Sequence, residues 1–176
     1  MTTTLQTIES KDVSLGELFA TFFVVPNFQR EYVWSTDEVR QLLEDVHAEY
    51  SDAARSTDSE YFIGTIVTCV GDDTVQQLID GQQRMTTSYI VLCAIRDYMK
   101  TAYESEIPAL EPQIAATSID RKGRDVFRFR VALQYEDSCG VLETMARGDE
   151  LPNGRHATSS VRNIINVTCT PGSAQN

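Results

Sequence analysis

The stretch Leu78-Ile79-Asp80-Gly81-Gln82-Gln83-Arg84-Met85-Thr86-Thr87 limits the possible folds more than any other part of the chain. An apolar strand stops at Asp-Gly, and a helix starts at once with two glutamines and an arginine. Glycine at such a junction supplies a backbone conformation that other residues avoid, and Asp80 is placed to cap the helix. Capping explains Asp80 and Gly81 but leaves Gln82, Gln83 and Arg84 at the head of an otherwise apolar helix. A helix start offers free N–H groups and the positive end of its dipole, which suit a phosphate. Arginine adds a planar, permanently charged fork for phosphate oxygens. Thr86 and Thr87 contribute hydroxyls one turn on, or are plain helix surface.

A second polar segment, Pro26-Asn27-Phe28-Gln29-Arg30-Glu31-Tyr32-Val33-Trp34, follows the apolar run Phe22–Val25. Phe28 and Trp34 read equally well as anchors of the loop or as part of a site. Gln29, Arg30 and Tyr32 read as functional, because loops held on a rigid scaffold often carry a site. The flat face and hydroxyl of Tyr32 suit a base or a modified backbone group. A third group, Arg121, Lys122, Arg124, Arg128 and Arg130 with Asp125 among them, is either a solvated face or a strip that tracks phosphates.

The 176 residues, 41% hydrophobic and 23% charged, suffice for one domain with a sizeable core. The net charge of −11 argues against general nucleic-acid binding, so any DNA contact must come from a local basic patch. No apolar run is long enough to span a bilayer, and residues 1–10 lack the apolar segment of a secretory signal. With no CxxC pair and only His47 and His156, a structural zinc site is not expected. Cys69 and Cys93 read as small core residues in a cytoplasmic chain with reduced thiols. P-loop and GxGxxG patterns are missing.

Helical spacing and caps predict a short helix over 15–20 behind Ser14. A longer helix follows the Ser35-Thr36-Asp37-Glu38 capping box, and a central one runs over 83–100. Further helices are expected over 137–147 and from Ser159 to Val167. Strands are expected at 22–25, 61–70 and 74–79, the last two forming a hairpin around Gly71-Asp72-Asp73. A half-buried strand with a basic face is expected over 126–134. Residues 51–60 and 104–118 read as irregular, 119–125 as a basic turn and 171–176 as a frayed end. This mixture is α+β, a small mixed sheet with packed helices.

In their order and spacing, FQREYVW, YFIGTIV and LIDGQQRMTT, with TDEVRQLLEDV and LQYEDS, resemble the N-terminal domain of the GmrSD family of modification-dependent restriction enzymes. Its SspE-like members serve phosphorothioate-based phage defence. The resemblance covers residues 13–167, with 1–12 a flexible start and 168–176 a tail. It implies a ParB/sulfiredoxin-like fold and a nucleoside-triphosphate site built on Asp80, Gly81, Gln82, Gln83 and Arg84, with Gln29 and Arg30 facing it. It also implies that the loop of Tyr32 senses modified DNA. Family members usually carry a C-terminal HNH-type nuclease domain that is missing here, so nuclease activity is not expected of this chain alone.

Two functions of different class follow. One is a nucleotide-hydrolysing sensor. In it Gln29, Arg30 and Arg84 hold the phosphates, Asp80 positions Mg²⁺ or the attacking water, and Asp80, Gln83 and Arg84 form the catalytic set. Gly81, Gln82, Thr86 and Thr87 complete the nucleotide site, and Tyr32, Arg121, Lys122, Arg124 and Arg128 contact DNA. The other is a non-catalytic reader of modified DNA that uses nucleotide as a switch; an interaction domain with a degenerate site ranks behind both, because the motif residues are all intact. Expected partners are a nucleoside triphosphate, modified DNA, a nuclease domain or subunit and, in a homo-oligomer, further copies of the chain, with no membrane.

Overall fold

The structure, a computed structural model, describes residues 8–53, 60–71, 75–135, 140–151 and 159–169. The order of elements is α1 (Leu15–Leu18), β1 (Phe22–Val25), α2 (Thr36–Ala53), β2 (Val67–Val70), β3 (Val75–Asp80) and α3 (Gln82–Tyr103). There follow α4 (Glu111–Ile114), β4 (Ala115–Ile119), β5 (Asp125–Phe129), β6 (Val131–Leu133), α5 (Val141–Arg147) and α6 (Ser159–Cys169). The architecture is α+β. A mixed sheet in the order β2-β3-β1-β6 sits beside a two-stranded sheet of β4 and β5.

β1 lies inside the larger sheet, parallel to both β3 and β6. All four of its residues are buried, which is why it reads as an unbroken apolar run and not as an alternation. β2 closes the sheet as an antiparallel edge on β3, so the expected hairpin forms. The rest of the expected 61–70 strand does not: regular pairing begins only at Val67. Gly64 takes a φ of 104°, a left-handed conformation that breaks a strand. Cys69, expected in the core, is exposed on the β2 edge, while Cys93 is buried in α3.

The caps of α1 and α2 follow the sequence. Ser14 and Glu17 form a reciprocal capping box at α1. At α2 the Ser35 N–H donates to Glu38 Oε2 at 2.7 Å, and Ser35 Oγ accepts from the Asp37 N–H at 3.3 Å. α2 runs to Ala53, into the segment expected to be loop; residues 54–59 lie outside the described residues, as do 72–74 of the hairpin turn, 136–139, 152–158 and 170–176. The first half of α3 is buried, with Met85, Tyr89, Ile90 and Cys93 in the core, whereas Ile95, Tyr98 and Tyr103 are exposed. The helix is therefore central at one end only.

Two expectations fail between residues 104 and 134. The segment 104–118 is not irregular: it holds α4 and β4. Pro112 sits in the first turn of α4, where its missing N–H costs nothing. The single strand expected over 126–134 is two strands in different sheets, divided at Arg130. The Arg130 N–H donates to the Ile114 carbonyl at 2.9 Å, and its own carbonyl accepts from the Phe23 N–H at 2.7 Å. Its guanidinium donates to the carbonyls of Pro112 at 2.8 Å and Ala20 at 2.7 Å and lies 4.2 Å from the centre of the Phe22 ring. Arg130 is thus buried at the seam between the sheets, and it drops out of the basic strip.

Candidate functional site

The parallel pairing of β1 with β3 brings the two polar motifs together, because each follows the C-terminal end of its strand. Gln29 Nε2 donates to the Ile79 carbonyl at 3.1 Å, tying the loop to the last residues of β3. The N-cap of α3 is Gly81, with φ 84°, and not Asp80 as expected: the helix begins one residue too late for that carboxylate, and no side chain caps it. A Cβ on Gly81 would strike Ile66 and come within 3.0 Å of the Thr65 carbonyl, so both the turn and its packing demand glycine.

The two glutamines turn toward the protein. Gln82 Nε2 donates to the Arg30 carbonyl at 2.9 Å. Gln83 Nε2 donates to the Glu31 carbonyl at 3.1 Å, and its Oε1 accepts from the N–H groups of Val33 at 2.8 Å and Trp34 at 3.3 Å. The loop has no regular secondary structure of its own, and the glutamine amides satisfy its backbone groups. Gln83 was expected to act on phosphate, but its amide group is committed to three loop positions. Gln82 Oε1 is buried and has no partner among the described residues.

Arg84 lies flat on the 64–65 backbone, where its Nη2 donates to the Thr65 carbonyl at 2.7 Å. Its Nε is buried without a partner among the described residues. The guanidinium of Arg30 is exposed, and among the described residues it has no hydrogen bond; the same holds for the exposed carboxylate of Asp80. The uncapped start of α3 is thus joined to the Arg30 loop through Gln82 and to residues 64–65 through Arg84.

A narrow cleft lies beside the Arg30 loop, lined by Arg30, Gln82, Gln83, Thr86, Tyr32 and Tyr135 among others, and it has no room inside even for a water molecule. A pocket for a drug-sized ligand occupies roughly 300 to 1,000 Å³. The cleft is thus too small for a whole nucleotide, and only its rim is open to one.

Tyr32 is not presented to solvent. It is 2% exposed, its hydroxyl lies 2.8 Å from Thr87 Oγ1, and its N–H donates to Ser160 Oγ at 3.1 Å. Burial pushes its hydroxyl pKa up to about 12, against a smaller lowering by the bond to Thr87. The ring expected to face DNA is packed in the core in this conformation. Thr87, fully buried, is spent on that contact, and Thr86 lines the cleft wall. Phe28 is exposed, whereas Trp34 packs against the core as an anchor.

The remaining basic residues sit on the β4–β5 hairpin. Asp120 organises its turn, accepting at one oxygen from the N–H groups of Lys122 at 2.8 Å and Arg124 at 2.9 Å. Its other oxygen takes Nε and Nη2 of Arg124 at 2.8 and 2.7 Å. These bonds from Arg124, backbone first, hold the Asp120 carboxyl below its ordinary value. Arg128 Nε donates to Ser118 Oγ at 3.1 Å. The hairpin therefore carries Arg121, Lys122, Arg124 and Arg128 against Asp120 and Asp125, a weaker positive patch than the sequence suggested.

Sequence reasoning passed over four contributors to this site. Gly64 and Thr65 cradle Arg84, and Ser160 and Tyr135 back the loop. A glycine inside a strand-like run, as in YFIGTIV, is the signal that could have marked the first two. Ser160 lies far along the chain and carries no local signal.

A mixed sheet whose β1 and β3 bring two polar motifs together at their C-terminal ends defines an α+β domain, not a Rossmann or P-loop domain. The family described as GmrSD restriction endonuclease, N-terminal domain, matches residues 8–160, and the chain belongs to that family. It is thus a domain of a restriction system, the class of protein that serves defence against viruses. Among curated proteins no sequence matches it. Among the described residues no helix is long and apolar enough to cross a membrane.

Proposed function

We propose that this chain is the nucleoside-triphosphate-binding and hydrolysing sensor domain of its restriction system, coupling recognition of modified DNA, such as phosphorothioate DNA, to hydrolysis. The observation that carries the reading is the uncapped start of α3 flanked by Arg30 and Asp80, two charged side chains exposed and without hydrogen bonds among the described residues. Opposite charges left open beside helix N–H groups suit a polyanion that brings a cation with it.

Arg30 and the first N–H groups of α3 would hold phosphate oxygens at the rim of the cleft. Arg84, fixed in place by Thr65, offers its remaining donors from the side. Stabilisation of phosphate charge by positioned donors is the main source of rate in phosphoryl transfer. Gln82 and Gln83 serve by holding the loop that presents Arg30. Gln29, within the loop itself, ties it to the Ile79 carbonyl of β3.

Mg²⁺ fits on one condition. Among the described residues no group of three His, Cys, Asp or Glu side chains could hold a metal. Asp80 alone suits an ion that arrives on the triphosphate, as Mg²⁺ commonly does with one or two carboxylates. Such an ion would neutralise phosphate charge, and Asp80 would orient it or a water. DNA would meet the β4–β5 hairpin, and cleavage would belong to a nuclease domain or subunit.

The single carboxylate also favours a second reading, in which nucleotide acts as a switch with little turnover. Phosphate release with and without phosphorothioate duplex separates the two. Stimulated release supports the sensor enzyme, binding without release supports the switch, and absence of triphosphate binding by calorimetry overturns both.

A further inference from the structure

Arg30 to Trp34 is an unusual loop, because its backbone is held by side chains of two separate helices. From α3, Gln82 takes the Arg30 carbonyl, and Gln83 takes the Glu31 carbonyl and the N–H groups of Val33 and Trp34. From α6, Ser160 Oγ accepts from the Tyr32 N–H at 3.1 Å, and Asn163 Nδ2 donates to the Val33 carbonyl at 3.4 Å. Ser160 is 1% exposed, and its Oγ also lies 3.2 Å from the Tyr135 hydroxyl, just beyond β6. One oxygen therefore joins the loop, the end of the sheet and α6 in a buried place where an unmade bond is costly. The family match ends at Ser160, so the loop's second support comes from a helix that lies almost wholly outside the matched span.

We infer that Ser160 is a positioning residue for the Arg30 loop, and that α6 is part of the site, setting how Arg30 is presented to phosphate. The inference rests on the proposed nucleotide reading. Its physical basis is that Arg30 has no side-chain partner among the described residues. Only the path of its backbone aims it, and the next-but-one N–H is fixed by Ser160. Displacing α6 would release that N–H and let the guanidinium swing away from the start of α3. The site then closes or opens with α6.

The test uses the full chain, Ser160→Ala, Ser160→Thr and Arg30→Ala, and the double variant Ser160→Ala/Arg30→Ala. Alanine is well tolerated in a helix, so the first variant should fold. Hydrogen exchange at the Tyr32 amide should rise about tenfold or more in Ser160→Ala and return toward the parent rate in Ser160→Thr, which keeps the oxygen. Calorimetry with ATP and GTP, each with Mg²⁺, should show about tenfold weaker binding for Ser160→Ala. In the Arg30→Ala background the serine change should have no further effect, because its action runs through Arg30. A general loss of stability would not give that non-additivity. Parent-like exchange and affinity in Ser160→Ala overturn the inference alone, as does an effect that persists undiminished without Arg30. A parent chain that binds neither triphosphate overturns the nucleotide reading together with it.

Discussion

Gly64 lies so close to Arg84 that a Cβ on the glycine would stand 2.6 Å from Nη1 and 2.9 Å from Cζ of the guanidinium. The absence of a side chain at one residue thus fixes the charge of another, twenty positions on in a different element. Gly64→Ala should push Arg84 off the Thr65 carbonyl and force alanine into a φ near 104°. The expected cost is about 1 to 3 kcal/mol in denaturant unfolding, with weaker triphosphate binding as the second readout. Normal stability and binding would show that the guanidinium is not held by this contact.

Arg30→Ala and Arg84→Ala should separate binding from folding. Arg30 is exposed and unpaired among the described residues, so its loss should change stability by no more than about 0.5 kcal/mol. Each variant should weaken triphosphate binding by about 1.5 to 3 kcal/mol, the scale of hydrogen bonds to charged groups. Calorimetry on variants that melt like the parent is the check.

Tyr32→Ala should behave as a core mutation. The ring is buried and its hydroxyl meets Thr87, so truncation should cost about 3 to 5 kcal/mol. Tyr32→Phe, which removes only the hydroxyl, should cost about 1 kcal/mol. If Tyr32→Ala is instead as stable as the parent while losing a response to phosphorothioate DNA, the residue leaves the core in the working state.

Binding to plain duplex should be weak and steeply salt-dependent, and the hairpin should carry it. Lys122→Glu and Arg128→Glu should lower affinity and flatten the salt slope. Arg124→Glu tests something more local. It puts a carboxylate against Asp120, so it should also loosen the turn, seen as a lower melting temperature. Unchanged DNA affinity in all three at low salt would make the hairpin a solvated face.

Acid should weaken the cap of α2. Two bonds from Ser35, to its hydroxyl and to its N–H, are the largest causes that hold the Glu38 carboxyl below its ordinary value of 4.5. A depressed carboxylate contributes stability above its unfolded value, and that contribution is lost as pH falls through the folded one. Glu38→Gln should therefore reduce the fall in melting temperature between about pH 5 and pH 3 relative to the parent. Identical acid limbs in the two proteins would remove Glu38 from the balance.

Much of this fold is legible in the residue types alone. β1 falls on Phe22–Val25 because four apolar residues are cut off by Pro26, and α2 starts where Ser35 and Glu38 face each other. The junction at Gly81 was legible because glycine and a switch of period coincide there. The break at Arg130 was hidden because Phe127, Phe129, Val131 and Leu133 keep a period of two straight through it. Only the carbonyls of Ala20, Pro112 and Ile114 show that the chain changes sheets. α4 was concealed by prolines, one of which opens it. At the site, the residue types of Gln82, Gln83 and Tyr32 were conspicuous, but their partners were not. Glutamine suits a phosphate or a loop carbonyl equally, and the choice is made by a segment some fifty residues away.

The position of β1 has a consequence for synthesis of the chain. Its register on one side joins Phe23 to Val131 and Val25 to Leu133, residues made long after β1 itself. While the ribosome makes the intervening residues, Phe22–Val25 can find β3 but has no neighbour on its other flank. That flank is an uncovered strand edge of four apolar residues, the kind that recruits foreign strands. Chains cut short before residue 133 should therefore go to inclusion bodies, and holdase chaperones should bind the nascent protein until β6 has emerged.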